Sequence, residues 1–423
     1  MRTLLSPFLF LLLCSVTVVA QLNPNPPSSP VRLVFIHHSV GEDWLNPDHG
    51  NLIKSLNDNN YYVRDTNYDW GPLDEDVNDG ANVGSHTDIG HWYNWFLGTH
   101  RTTYLQALYT NDVLTSGIEN SASINDPGGE NRIVMFKSCF LAAHVMYGEP
   151  NDAPTPKGIP NPLCGRGIDA DTDQTVANVK GLYRDVLDYF ATRQDKLFVL
   201  ITTPPSFQGE VDENMPRLRG INRWLIDHWL ENYPYKNVFV FDFHNVLTSN
   251  GGNPNSNDLG ASTGAHHRYR NGKIEYLAGT SDFLAYASYD PGSQSWDSHP
   301  TAAGDQKAAA EFLPLLNIAY NRWKSATEIQ EINSARRIFS LEQNYPNPFS
   351  VRTTIEFILP ATGEISLKAY DVLGRETTLI AAQEFRAGHH SVQFDASNIP
   401  SGMYLLSLET EGMRQTRKMH VLK

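Results

Sequence analysis

Residues 31–41 of this 423-residue chain read VRLVFIHHSVG, and this stretch decides how the rest of the sequence is interpreted. Its first six residues are mostly apolar and rich in β-branched side chains, which is typical of a strand buried on both faces. Two histidines and a serine, Ser39, then end the apolar run before Val40 and Gly41. A buried strand that ends on two imidazoles and a hydroxyl presents chemically active groups at its carboxyl end.

Strand-like and helix-like segments alternate after this first strand. Further apolar runs predict strands over 61–66, 132–137, 196–203 and 237–243. Apolar residues at helical spacing predict helices over 174–193, 214–232 and 302–323. This alternation predicts a three-layer α/β/α sandwich with a parallel sheet. Long polar loops over 67–91, 109–131, 148–173 and 250–296 interrupt it, and loops of that length are usually functional.

Composition divides the chain into four segments. Residues 1–20 combine an N-terminal arginine, an apolar stretch and a small-residue cleavage site, which predicts a signal peptide. Residues 21–325 carry the α/β pattern, and the polar residues 326–338, which lack strand alternation, are interpreted as a linker. In residues 339–423, short alternating strands separated by turns indicate a small β-sandwich.

Charge and composition restrict the partners. The net charge is −14 and there is no basic run, which argues against nucleic acid and anionic membranes. Past the signal peptide two cysteines remain, Cys139 and Cys164, which could form a disulfide or two buried thiols. Aromatic clusters at 92–96 and at Tyr61, Tyr62 and Trp70 could line a carbohydrate cleft, but for most of them we favour core packing.

The C-terminal segment resembles the sorting domain of the type IX secretion system. The resemblance rests on LEQNYPNPF at 341–349, YDVLGR at 370–375, AGH at 387–389, PSGMY at 400–404 and RKM at 417–419. It implies recognition by the type IX secretion machinery, passage across the outer membrane, and then cleavage or attachment of the tail. The protein is therefore expected to be secreted or at the cell surface. The alternative for this segment is an ordinary adhesive β-sandwich.

Ser39 has a candidate catalytic base late in the chain. Ligands of open α/β sheets bind at the carboxyl ends of the strands, which is where Ser39 falls. A serine needs a base within hydrogen-bonding reach, and that base must be oriented by a third group. Residues 296–304 read WDSHPTAAG, so His299 lies just before the last predicted helix and Asp297 lies two residues upstream.

This layout resembles the SGNH (GDSL-like) hydrolases over about residues 31–325, although the motifs agree only in the first and last blocks. The resemblance implies a flavodoxin-like sandwich and a serine esterase in which Ser39 is the nucleophile, His299 the base and Asp297 the acid. It implies no cofactor and no metal. The chain departs from the family in having His-His-Ser for Gly-Asp-Ser, an acid two rather than three residues before the histidine, and no Gly-x-Asn-Asp block.

The oxyanion and substrate-binding residues follow from the same resemblance. The third strand ends in Phe-Lys-Ser-Cys, so Ser138 falls roughly where the family has its oxyanion-holding Asn. The glycine of the second block is Gly71 or Gly84. His38, Lys137 and Ser138 are expected to border the pocket.

Other interpretations remain open at this point. Ser39 could only cap a helix, and the Asp297–His299 segment could only be a helix-entry turn. An α/β-hydrolase elbow fits less well, because it needs Gly where His37 stands. His86, Asp88 and His91 could ligate a metal. The expected function is thus a secreted esterase that removes acyl groups from a polysaccharide or another extracellular ester, with a non-catalytic glycan-binding protein or a metal-dependent hydrolase as alternatives.

Overall fold

The structure of the protein is a computed structural model that describes residues 22–423 except 69, 73–82, 111–123, 144–145 and 293. The predicted signal peptide lies outside the described residues. The chain forms two compact units, of which the first ends at Trp323 and the second begins at Lys324.

A five-stranded parallel sheet is the centre of the first unit. Its strands are β1 (Val31–Ile36), β2 (Tyr61–Thr66), β3 (Ile133–Lys137), β4 (Leu197–Ile201) and β5 (Val238–Phe241). They lie in the order β2-β1-β3-β4-β5, and each neighbouring pair is parallel. From β1 the chain first adds β2 on one side and then adds β3, β4 and β5 on the other side, so the strand order switches between β1 and β3. Ligands of such sheets bind in the crevice at this switch point, outside the carboxyl ends of the strands.

Helices cover both faces of this sheet. They are α1 (Ser39–Leu45), α2 (Leu52–Asp58), α3 (Trp92–Phe96), α4 (Arg101–Thr110), α5 (Val176–Thr192), α6 (Met215–Asp227), α7 (Phe243–Val246) and α8 (Ala302–Ile338). Phe35 of β1 packs in one core with Trp44 of α1 and Phe312 of α8. Its neighbour Ile36 packs in the other core with residues of α3, α5 and α6. The predicted α/β class with a parallel sheet is confirmed.

The last helix of this region is longer than predicted. α8 has 37 residues and continues through 326–338, the segment that the sequence analysis interprets as a linker. That interpretation rests on missing strand alternation, which does not exclude a helix, and of the isoleucines here only Ile329 and Ile332 lie three residues apart as on one helix face. No helix in the described part of the chain is both long enough and apolar enough to cross a membrane.

Two hairpins occupy the predicted loop 250–296. The first is β6 (His266–Arg270) with β7 (Lys273–Leu277), and the second is β8 (Ser288–Asp290) with β9 (Ser295–Asp297). An Asn-Gly pair with positive φ joins β6 to β7, which is a strong hairpin signal that the sequence analysis did not use. Strands β8 and β9 have three residues each, and the described side chains of β9 are exposed, so no burial pattern marks them.

The second unit contains two antiparallel sheets. Its strands are β10 (Ser340–Leu341), β11 (Arg352–Leu359), β12 (Gly363–Tyr370), β13 (Glu376–Phe385), β14 (Gly388–Asp395), β15 (Gly402–Thr410) and β16 (Met413–Val421). One sheet has the order β10-β11-β14 and the other β13-β12-β15-β16. Phe357 of the first sheet and Leu367 and Leu406 of the second belong to one apolar core. This is the arrangement expected of a small β-sandwich.

Candidate active site

The side chains of Ser39, His299 and Asp297 form a continuous hydrogen-bonded row. Ser39 Oγ lies 2.8 Å from His299 Nε2, although the two residues are 260 positions apart in the chain. On the other side of the ring, His299 Nδ1 lies 2.7 Å from Asp297 Oδ1. Because a carboxylate only accepts, Nδ1–H donates to Asp297 and leaves Nε2 to accept from the hydroxyl of Ser39. An imidazole held in this tautomer can remove a proton from the serine.

Three elements bring these residues together. Ser39 is the first residue of α1 and directly follows the strand β1, at the switch point of the sheet. Asp297 ends β9, and His299 lies in the short connection between β9 and α8. A Cβ added at Gly41 would lie 2.4 Å from the Cβ of His37, so only glycine lets the first turn of α1 pass this close to the end of β1.

His37 fixes the backbone before the serine. Its side chain is buried, and its Nε2 lies 3.1 Å from Asp65 Oδ2 of β2. Its Nδ1–H donates to the carbonyl oxygen of His38 at 2.9 Å. Both ring nitrogens are therefore engaged within the protein, which makes His37 a support for the chain at Ser39 rather than a group that meets a substrate.

The side chain of His38 is not buried with that of His37 but borders the candidate site. Its Nε2–H donates to the carbonyl oxygen of Gly84 at 2.9 Å, and its ring stacks on that of Tyr68 with centroids 4.0 Å apart. Burial lowers the pKa of His38 to about 4, so the ring is neutral near pH 7. With Nε2 donating, Nδ1 of this neutral ring carries a lone pair that can accept a hydrogen bond.

The structure places Lys137 and Ser138 in the interior, which corrects their assignment to the pocket. Ser138 is buried, and its hydroxyl accepts a hydrogen bond from the indole N–H of Trp92 at 3.0 Å. Lys137 is fully buried, its Nζ donates to the carbonyl oxygen of Ser138 at 3.3 Å, and burial lowers its pKa. The side chain at this strand end that reaches the nucleophile is instead Cys139, with Sγ 3.8 Å from Ser39 Oγ.

The two candidate glycines differ in their surroundings. The N–H of Gly84 donates to the carbonyl oxygen of Trp70 at 2.6 Å, and a Cβ at Gly84 would lie 2.1 Å from the carbonyl oxygen of Asn67. Gly84 is thus required for close backbone packing, and its N–H is engaged. Gly71 is half-buried and directly follows Trp70, so it remains the candidate of the second block.

A second carboxylate supports the segment between the acid and the base. Ser298, which is buried, donates its hydroxyl hydrogen to the carboxylate of Glu210. The same hydroxyl oxygen accepts the backbone N–H of Phe207 at 3.1 Å. Phe207 and Glu210 belong to the loop after β4, so this loop anchors the residue between Asp297 and His299. Neither contact could be predicted from the sequence, because no local pattern links residues 88 and 91 positions apart.

The candidate metal residues lie close together without forming a metal-binding group among the described residues, and the two candidate cysteines are not bonded. The rings of His86 and His91 lie 4.6 Å apart and His91 Nδ1 lies 3.8 Å from Asp88 Oδ2. Among the residues that the structure describes, no group of three or more His, Cys, Asp and Glu side chains could hold a metal ion. Cys139 and Cys164 are both free thiols.

The aromatic clusters noted in the sequence belong to the core. Trp92, Trp95, Phe96, Tyr61 and Trp70 are all buried, as the core-packing interpretation predicts. A cavity of about 610 Å³ next to Phe96 is lined by Glu130 and Arg193, which precede strands β3 and β4. It therefore lies at the amino ends of the strands and does not belong to the site around Ser39.

Comparison with known proteins identifies the C-terminal segment. Residues 343–422 match the family described as the secretion system C-terminal sorting domain. The match confirms the type IX sorting domain expected from the sequence, and with it a protein that is secreted or at the cell surface and meets the secretion machinery through this segment. No curated protein matches the chain significantly.

Solved structures add little about the first unit. One match is PorZ, an essential bacterial surface component of the type-IX secretion system of Porphyromonas gingivalis, with 20% identity over 21% of this chain and a TM-score of 0.15. Another is an engineered protein, with 8% identity over 69% of this chain and a TM-score of 0.15. The chain spans 12% of the length of the former and 48% of the latter.

A third match is the endo-β-1,4-mannanase of Thermotoga petrophila, with 10% identity, 94% of this chain and 99% of that chain covered, and a TM-score of 0.18. With TM-scores this low, none of the three structures carries an argument about fold or activity.

Proposed function

We propose that the first unit is an SGNH-like serine esterase that removes acyl groups from a polysaccharide or another extracellular ester. The observation that carries the proposal is the row from Ser39 through His299 to Asp297, with contacts of 2.8 and 2.7 Å. Its position at the carboxyl end of β1, beside the switch point of the sheet, supports the same conclusion.

In the proposed reaction, Ser39 Oγ attacks the ester carbonyl while His299 Nε2 takes the hydroxyl proton. Asp297 holds the ring in the required tautomer and stabilises the imidazolium that forms. His299 then returns the proton to the departing alcohol, which leaves an acyl group on Ser39. A water molecule activated by the same imidazole releases the acid and restores the serine.

Backbone groups are the candidate donors to the oxyanion. Ser39 is the first residue of α1, so its N–H has no acceptor within the helix. The N–H of Gly71 is the second candidate. Of the groups that the sequence also suggested, the N–H of Gly84 already donates to Trp70, and the hydroxyl of Ser138 is buried, where it accepts from Trp92.

The esterase proposal is tested with the purified chain, without the signal peptide, and 4-nitrophenyl acetate. Ser39→Ala should lower kcat/KM by about a thousandfold, and His299→Ala by a similar factor, because the two residues act as a unit. Ser29→Ala, at an exposed serine just before β1, is the matched control. Equal turnover by the wild type and by Ser39→Ala would contradict the assignment of the nucleophile.

A non-catalytic glycan-binding protein is the second candidate. The observation that favours it is that Ser138 is buried against Trp92 and that the N–H of Gly84 already donates to Trp70. Glycan binding that survives both Ser39→Ala and His299→Ala, with no ester cleavage by the wild type, would support it. The third hypothesis, a metal-dependent hydrolase built on His86, Asp88 and His91, has no supporting site among the described residues.

A further inference from the structure

Three exposed aromatic rings lie near the row of Ser39, His299 and Asp297. In the described part of the first unit, the large exposed apolar side chains are those of Tyr68, Leu141, Tyr147, Ile159, Ile274, Tyr289 and Trp296. Three of the seven lie near this row, since Trp296 directly precedes Asp297, Tyr289 faces Trp296, and Tyr68 stacks on His38, the residue before Ser39. Exposed apolar side chains grouped at one site mark a binding surface, whereas single ones need no explanation.

The hairpin of β8 and β9 carries two of these rings. Tyr289 and Trp296 are directly opposite each other across the hairpin, and their ring centroids lie 5.4 Å apart. Their exposed fractions are 49% and 52%, so half of each side chain meets solvent. Trp296 directly precedes Asp297, which places the ring pair at the border of the proposed active site.

Side-chain direction shows which part of a substrate these rings can meet. Neighbouring residues of a strand point to opposite faces, so the two rings lie on the face of the hairpin away from the carboxylate of Asp297. They can contact a ligand beyond the reacting ester but not the ester itself. Tyr68, which is half-exposed and stacks on His38, borders the serine from the side of β2.

We infer that Tyr289 and Trp296 form a subsite for neutral sugar rings of an acylated polysaccharide. The inference rests on the proposed function, since it assigns a substrate class to the same site. Flat rings with a polar edge suit the C–H face of a pyranose, whose hydroxyl groups stay in water around it.

Charge supports a neutral ligand over an anionic one. The charged groups that the structure places on or against the segment 297–299 are the carboxylates of Asp297 and Glu210. The whole chain carries a net charge of −14. Both features repel phosphate headgroups and uronic acids, because like charges raise the cost of association. The sorting domain exports the chain to where polysaccharides are found.

The test compares two substrates of the purified chain, partially O-acetylated xylo-oligosaccharides and 4-nitrophenyl acetate. In Trp296→Ala, the ratio of kcat/KM for the oligosaccharide to that for the small ester should fall about tenfold, because one ring contact is lost. Tyr289→Ala should lower the same ratio and Trp296→Phe should largely restore it. Tyr147→Ala is the matched control, since Tyr147 is comparably exposed.

An unchanged ratio in both alanine variants would overturn the inference. So would a loss that appears for a long-chain 4-nitrophenyl ester but not for the oligosaccharide, since the rings would then bind an acyl chain.

A binding experiment separates this inference from the esterase proposal. Deacetylated xylo-oligosaccharide is titrated calorimetrically into Ser39→Ala and into Ser39→Ala combined with Trp296→Ala. Binding that weakens with the second substitution supports the subsite even if the wild type cleaves no ester, in which case only the esterase proposal fails. No binding to either variant would overturn the subsite, whatever the esterase assay shows.

Discussion

Ser298 is the residue that links the proposed acid and base to the body of the sheet. It lies between Asp297 and His299 in the chain, and its hydroxyl bonds both Glu210 and the N–H of Phe207. Asp297 itself is half-exposed and is bonded to His299. The position of His299 relative to Ser39 therefore depends on the contact between Ser298 and the loop after β4.

Loss of this contact should slow the reaction without removing any reacting group. We expect Ser298→Ala and Glu210→Gln to lower kcat for 4-nitrophenyl acetate about tenfold, because small displacements of a catalytic base are costly. KM should change little and the pH optimum should stay in place, since the base itself is intact. Glu213→Gln, at an exposed carboxylate close by in the chain, is the control. Full activity of both variants would contradict a positioning role.

At the scale of single residues, the sequence identified those residues of the candidate site that a local sequence pattern marks. Ser39 and His299 were predicted from the end of an apolar strand and the start of a helix, and Ser39 Oγ lies 2.8 Å from His299 Nε2. Ser138 was assigned to the pocket because it falls roughly where the family has its Asn, but the structure buries it against Trp92 and brings Cys139 near Ser39, since the sequence does not show which face each side chain at a strand end takes. Glu210 could not be found, since its role arises only from folding.

Among the elements, the start of α8 contains a buried carboxyl group. Asp305 is fully buried in the first turn, and its Oδ2 lies 2.9 Å from His49 Nδ1. Burial raises the pKa of Asp305 from 3.8 to about 7, and the hydrogen bond to Asp305 raises the pKa of His49. In both groups the folded protein holds the proton more tightly than the unfolded chain does.

Stability should therefore fall as the pH rises. For a group with a raised pKa in the folded state, the stabilisation is complete below the unfolded pKa and is lost as the pH passes the folded one, here from about 4 to about 7 for Asp305. Each pH unit in that window removes up to about 1.4 kcal/mol. In Asp305→Asn, thermal unfolding followed by circular dichroism should give a Tm that depends less on pH. An identical slope in wild type and variant would contradict this assignment.

The strands that could be predicted from the sequence are those whose side chains are buried. The five strands of the sheet are buried and apolar, and all five were found to within a few residues. Strands β8 and β9 were missed because they are short and their described side chains are mostly exposed. This matters for function, since this hairpin carries Asp297 and the two exposed rings.

The whole molecule consists of a unit with a proposed active site and a unit with an export signal. Each has its own apolar core, on the two faces of the parallel sheet in the first and between two antiparallel sheets in the second. Separate cores are typical of domains that fold independently.

Deletion of residues 339–423 should thus leave the first unit folded and abolish passage across the outer membrane. The sorting domain lies within the deleted residues, so the truncated chain should accumulate in the periplasm. Cell fractionation of strains with truncated and full-length chains, together with a thermal unfolding curve of each purified protein, makes the comparison. Equal amounts of both in the medium would show that this segment is not needed for export.

The separation of Ser39 from His299 by 260 positions also fixes when the site can exist. Asp297 and His299 are near neighbours in the chain, so they can meet as soon as β9 is made. Ser39 leaves the ribosome long before either, and His299 can reach it only once the start of the last helix has packed beside the sheet. If the proposed mechanism holds, an incompletely folded chain contains an unactivated serine, and catalytic competence arises only at the end of folding.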